Sequence, residues 1–225
     1  MAAGMHCLSA AFLALTASFA PPAMAENQIW TNYALKKEAP GGLPVDLSLN
    51  AEIRFAPDGD VAQYVLRPGV TYAVNDRLDL SGGYRYGQAL RDGPDQIEHR
   101  LWQQAGYRIT RLGSARISGR TRLEQRFREG ESGTGWRLRQ QISLEQPLAE
   151  TDIKLALSGE LFLGLTDTNW GNADGLQEIR SRAAFKWKAA GLGWEAGYLH
   201  RHRLGSNGTE DEVNDHVVVG ISKSF

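Results

Sequence analysis

The stretch Ser114 to Glu129, SARISGRTRLEQRFRE, limits the possible folds more than any other part of the chain. Taken alternately, Arg116, Ser118, Arg120, Arg122, Glu124, Arg126 and Arg128 fall on one side, and Ala115, Ile117, Gly119, Thr121, Leu123 and Phe127 on the other. A period of two is a strand signature, whereas a helix would spread these arginines around its whole circumference. The strand is about fifteen residues long, too long for an average soluble sheet and suited to a tilted membrane crossing. A soluble sheet would turn the apolar face inward. An outer-membrane barrel does the reverse, with a polar face on the lumen and an apolar face on lipid.

The amino terminus bears on that choice. Leu8 to Ala20 is an apolar run followed by the small-x-small pattern Ala23-Met24-Ala25, which predicts a secretory signal over residues 1–25 and a mature domain over 26–225. Met1 to His6 lacks Lys and Arg, so the signal is atypical. The single cysteine, Cys7, precedes the apolar run and would leave with it, so the mature chain would have no disulfide, thiol nucleophile or thiolate metal site. A formal net charge of −1 gives no sign of nucleic-acid binding. Beyond the signal no apolar run is long enough for a helical membrane span. Negative mean hydropathy is compatible with a barrel, because only alternate residues need face lipid.

The two-residue period recurs along the chain. Asn27 to Lys36 is a weak segment, and Val45 to Phe55 sets Val45, Leu47, Leu49, Ala51, Ile53 and Phe55 against Asp46, Ser48, Asn50, Glu52 and Arg54. Ala62 to Val74 and Arg77 to Gly87 read as a hairpin across Asn75-Asp76. Gln96 to Ile109, then a turn at Thr110 to Gly113, leads into the opening stretch. Trp136 to Glu145, Asp152 to Leu165, Leu176 to Lys188, Leu192 to Tyr198 and Val217 to Phe225 follow, with a loop predicted over Gly205 to Asn214.

Short and long breaks alternate, as for periplasmic turns and outer loops. Tyr84, Tyr86, Phe127 and Trp136 gather at the long-loop side, and Tyr72, Tyr107, Trp187, Trp194 and Phe225 at the other, giving two aromatic girdles. These features predict an all-β, antiparallel, up-and-down transmembrane barrel of the bacterial outer membrane. Its expected partners are outer-membrane lipid and lipopolysaccharide, and the barrel-assembly machinery through the terminal Phe225. Eleven segments conflict with the even strand number usual in bacterial barrels. The rule favours twelve strands through one unrecognised segment, within a range of ten to twelve.

Several runs carry a resemblance: EHRLWQQ at Glu98 to Gln104, RTRLEQRFRE at Arg120 to Glu129, WRLRQQI at Trp136 to Ile142, GELFLGLTDTNWG at Gly159 to Gly171 and GYL at Gly197 to Leu199, with His216 and Phe225. Together they resemble a family of uncharacterised Gram-negative outer-membrane barrels, domain of unknown function 2490. Family members often carry Asn or Gln before the arginine where this chain has Ile179 before Arg180. The resemblance implies fold and location and brings no activity, cofactor or site residue with it.

Parity places Glu98, Arg100, Arg126, Arg137, Arg139, Glu160, Glu178, Arg180 and Arg182 in the outer half of the interior, with Arg122 and Glu124 one layer below. In so narrow a barrel these side chains meet across the lumen. A plug of bidentate Arg–Glu pairs and an anion-selective constriction both fit, the second because arginines outnumber glutamates. The leading reading is a small passive or weakly anion-selective pore. A closed structural barrel is one alternative, and a lipid-modifying enzyme at the outer rim is another. For the enzyme, His202 and His216 are the weak catalytic candidates, and Ser132 and Ser206 lie in loops without positional pairing to a histidine. His200-x-His202 lacks a carboxylate of matching parity for a metal, and the acidic loop Glu210-Asp211-Glu212 reads as a solvated loop rather than a cation site. Trp170 is either a turn anchor or a ligand-stacking residue. No cofactor motif is present.

Overall fold

A computed structural model of the chain describes residues 27–205 and 209–225. The predicted signal over residues 1–25 and Ser206 lie outside the described residues. Eleven strands form among them: β1 (Ile29–Lys37), β2 (Val45–Phe55), β3 (Val61–Ala73), β4 (Leu78–Ala89), β5 (Gln96–Leu112), β6 (Ala115–Arg128), β7 (Gly135–Pro147), β8 (Lys154–Gly164), β9 (Gly175–Ala189), β10 (Leu192–Arg203) and β11 (Glu212–Ser224). A short 3₁₀ turn at Pro40–Gly42 is the other regular element.

Each strand pairs antiparallel with its sequence neighbour, and the sheet closes on itself. The closing pair is different: β1 and β11 run parallel, from Ile29 beside Val217 to Lys36 beside Ser224. This corrects the preference for twelve strands. Among the described residues there is no twelfth strand; a parallel closing pair removes the parity constraint that an all-antiparallel ring imposes, so eleven strands close without a free edge. One consequence is that β1 begins at the end where β11 begins, so the two ends of the described barrel lie at opposite rims.

Loops 56–60, 90–95, 129–134 and 165–174, with residues 204–205 and 209–211, lie at the rim where β1 starts, and 38–44, 74–77, 113–114, 148–153 and 190–191 at the other. The long-short contrast is thus a trend, with 38–44 and 148–153 the exceptions. Local chemistry explains the tight turns. The Asn75 side-chain oxygen accepts the N–H groups of Arg77 and Leu78 at 2.8 and 3.0 Å, which closes β3 onto β4. At 190–191 both residues are left-handed, φ 53° at Ala190 and 71° at Gly191, as a two-residue hairpin with the twist of its strands requires. The predicted turn at Thr110 to Gly113 is shorter than expected, because a register shift between Arg108 and Thr110 lets β5 continue to Leu112. Likewise β11 starts at Glu212, inside the predicted loop.

The two faces divide by polarity. Outward-facing Leu66, Val70, Leu80, Leu101, Ile142, Leu157, Leu161, Phe185 and Val217 are exposed, while Arg85, Glu98, Glu124, Arg126, Arg137, Arg139, Glu160 and Glu178 are buried within. A small apolar cluster, Trp30, Leu199 and Val218, sits behind the parallel seam.

Candidate functional site: a charged interior

The centre of the interior is Glu124 on β6, 1 % exposed. It accepts Arg137 Nη2 at 2.6 Å and Nε at 3.1 Å, Arg139 Nη1 at 2.8 Å, and Arg100 Nη1 at 3.2 Å. Its three donors come from two neighbouring strands, because β6 lies between β5 and β7 and Glu124 is in register with Trp102 and Arg137. Four charge-assisted bonds from three arginines supply what a buried carboxylate loses with its water.

Glu160 and Glu98 are tied to this hub through Arg139 and Arg100. Arg139 forks onto Glu160, Nε and Nη2 each 2.9 Å from one oxygen, and Arg120 reaches the same carboxylate at 2.5 Å. Arg126 forks onto Glu98 at 3.2 and 2.8 Å, and Arg100 also bonds Glu98. Glu178 pairs with Arg180 and, at 3.5 Å, with Arg201. Arg182 pairs with Glu195. Arg122 gives both forks to Gln104 Oε1, at 2.9 and 2.6 Å, and covers the Trp102 ring at 4.5 Å. Of the charged residues assigned above to the outer half of the interior and the layer below it, Glu98, Arg100, Arg122, Glu124, Arg126, Arg137, Arg139 and Glu160 join around Glu124, whereas Glu178 with Arg180 and Arg182 with Glu195 form separate groups.

Several members escaped the sequence reading. Glu52 pairs with Arg54 at 2.5 Å, and the Arg54 guanidinium stacks on Trp30 at 3.6 Å. Trp102 lies flat across β3 and β4, where a Cβ at Gly83 would stand 2.6 Å from its ring. Arg67, Arg85 and Arg201 are also inside. The signal was there, since Leu66, Tyr84 and Tyr86 face outward and the alternation puts their neighbours within.

Among the described residues the interior holds an upper and a lower cavity. The upper, about 770 Å³, opens at the rim where β1 begins and reaches Asn32, Arg120, Glu160 and Arg182. Fourteen arginines and six carboxylates line it, so its wall carries a positive surplus in a chain that is nearly neutral overall. The lower, about 480 Å³, holds Glu145, Lys154, Lys186 and Glu195. Asn32 borders both.

At the upper rim, loop 165–174 folds inward. Trp170, 4 % exposed, donates its indole N–H to the Ser132 carbonyl at 3.1 Å, and Asn172 accepts Arg126 Nη1 at 2.9 Å. Trp170 is therefore a loop anchor. The histidines separate into two kinds. His99, His200 and His202 face outward and take carboxylates: Glu129 at 2.9 Å, Asp215 at 2.8 Å and Asp211 at 2.7 Å. Gly205 N–H and His202 together hold the Asp211 carboxyl below its ordinary range. His216 instead points inward, 1 % exposed, stacked on Trp30 at 4.7 Å, with its Nδ1 accepting the Gln28 amide. Among the described residues neither His202 nor His216 has a serine as hydrogen-bond partner, and His216 serves the β1–β11 seam. No group of three or more metal-ligating side chains forms among the described residues.

The fold and this interior define a closed β-barrel with an apolar exterior and a buried arginine–glutamate network. Residues 27–212 match the family model described as a protein of unknown function, DUF2490, and the chain belongs to that family. An uncharacterised protein of Methylorubrum extorquens is 31 % identical over 184 residues, covering 78 % of each chain.

Proposed function

We propose that the mature chain is an outer-membrane β-barrel of a Gram-negative bacterium, exported by a cleaved signal over residues 1–25, and that it acts as a small, weakly anion-selective passage. The observation that carries this reading is the excess of arginine over carboxylate in the wall of the upper cavity, enclosed by an apolar outer face. An apolar exterior around a charged interior is what lipid on one side and water on the other select. Rings of arginine favour anions at close quarters. Outer-membrane lipid and lipopolysaccharide are the expected surroundings, and Phe225 at the end of β11 suits recognition by the assembly machinery.

A closed structural barrel is the second reading, favoured by the full satisfaction of Glu124 by three arginines. Planar-bilayer recording of refolded protein separates the two. The passage predicts discrete conductance steps, and silence at every voltage removes it in favour of the closed barrel.

A further inference from the structure

Inside the barrel, arginine faces arginine across neighbouring strands at several levels, and a glutamate serves both members. Arg100 on β5 stands opposite Arg126 on β6, and both bond Glu98. Arg122 stands opposite Arg139, with Glu124 4.0 Å from the first and 2.8 Å from the second. Arg180 stands opposite Arg201, and both pair with Glu178. Like charges directly opposite repel in a sheet, so these shared carboxylates are what makes the arrangement tolerable.

Arg67 and Arg85 break the rule. Val65 beside Gly87 and Gly69 beside Gly83 bracket them in the β3–β4 register, which sets Arg67 opposite Arg85. Arg85 is in turn opposite Arg100, so Arg67, Arg85, Arg100 and Arg126 form one row across four strands. Among the described residues neither Arg67 nor Arg85 has an ion-pair or hydrogen-bond partner, and Arg67 Nε and Arg85 Nη1 are both buried. Glu52, one step along β2 from the strand partner of Arg67, is taken by Arg54. Arg85 is 5 % exposed, and a Cβ at Gly87 would collide with its guanidinium, so the glycine leaves the room that holds it. Both arginines line the upper cavity. Glu52 lies within electrostatic reach of both guanidiniums and Glu98 of Arg85, but the oxygens of these carboxylates are bonded to Arg54 and to Arg100 and Arg126, so neither Arg67, half-buried, nor Arg85, buried, has a carboxylate bonded to it. Cations so placed side by side are costly.

We propose that Arg67 and Arg85 form a binding site for a phosphate-type dianion, inorganic phosphate or a small phosphomonoester, entering from the upper rim. Two guanidinium forks match phosphate oxygens in geometry, and a dianion neutralises both where chloride or a single carboxylate neutralises one. The Trp102 ring lies against Gly69 and Gly83, one step further along the same two strands, and reports on the site. The inference rests on the interior being accessible to anions and does not require them to pass through.

The test titrates inorganic phosphate, and separately glycerol phosphate, into the refolded mature chain in zwitterionic micelles at constant ionic strength, following heat and tryptophan fluorescence. Saturable binding is expected, weakened about tenfold in each of Arg67→Gln and Arg85→Gln. Arg116→Gln, at the opposite rim, leaves it unchanged. Tighter binding of the ester assigns an organic phosphate, tighter binding of the free ion assigns phosphate itself, and either supports the site. Arg67→Lys keeps the charge and part of the affinity, which guards against a Gln variant that does not refold. Absence of saturable binding in the wild type, or undiminished binding in the double Gln variant, overturns the proposal. Conductance is recorded on the same protein: a conducting chain that ignores phosphate loses this site and keeps the passage, and a silent chain that binds phosphate does the opposite.

Discussion

Arg182 on β9 is paired with Glu195 on β10, and the pair stands where the two interior cavities meet: Arg182 lines the upper one and Glu195 the lower. With Asn32, which borders both, it forms the partition between the two mouths of the barrel. The pair is half-wet, with side chains 33 and 21 % exposed.

Opening that partition should widen the path at little cost in stability. Replacing Arg182 and Glu195 together by Ala is expected to raise single-channel conductance above wild type while shifting stability by less than about 1 kcal/mol. Unchanged conductance would place the narrowest point elsewhere.

Glu124 is the opposite case. Glu124→Gln leaves Arg137 and Arg139 facing a neutral amide in a buried site, and a loss of about 3–5 kcal/mol in urea unfolding from micelles is expected. Glu145→Gln, whose Lys186 partner is well exposed, should cost less than about 1 kcal/mol. Equal effects would mean that the Glu124 hub is not what holds the interior together.

The strand count and the network differ in how far the sequence revealed them. Alternation gave all eleven segments, because each strand has one apolar and one polar face, and it set Glu98, Glu124, Arg126, Arg137 and Glu160 inside. Closure was hidden: the parallel seam of β1 and β11 joins residues nearly two hundred positions apart and leaves no local signal, so an even-number rule pulled the count to twelve. Trp30 and His216 meet at that seam, and neither declares its partner by spacing. Arg67 and Arg85 were legible by parity, yet their lack of carboxylates emerges only once cross-strand register pairs them.

The parallel seam makes a topological prediction. Because β1 and β11 run the same way, an epitope placed just before Asn27 and one placed after Phe225 should lie on opposite sides of the membrane if the barrel spans it as proposed. In intact cells the first is expected to be reachable by antibody and the second only after the outer membrane is opened. Equal access to both would contradict the eleven-strand closure.

At the upper rim the prediction concerns pH. Asp211 accepts the Gly205 amide at 2.9 Å, and that bond, with His202, lowers its carboxyl. A lowered carboxyl contributes order above its unfolded value that is lost as pH falls through the folded one. Hydrogen exchange at the Gly205 amide, corrected for intrinsic rate, should therefore rise below the ordinary aspartate range. Asp211→Asn should show the faster rate already at neutral pH, and a pH-independent difference would assign the order to another contact.

Whether the barrel interior takes anions is decided by the reversal potential across a planar bilayer under a potassium chloride gradient. The wild type should show a reversal potential on the chloride side, and Arg126→Glu with Arg137→Glu should move it towards potassium. A conducting wild type that prefers potassium, or one whose selectivity ignores those two charge reversals, would show that the arginine-rich interior does not take anions.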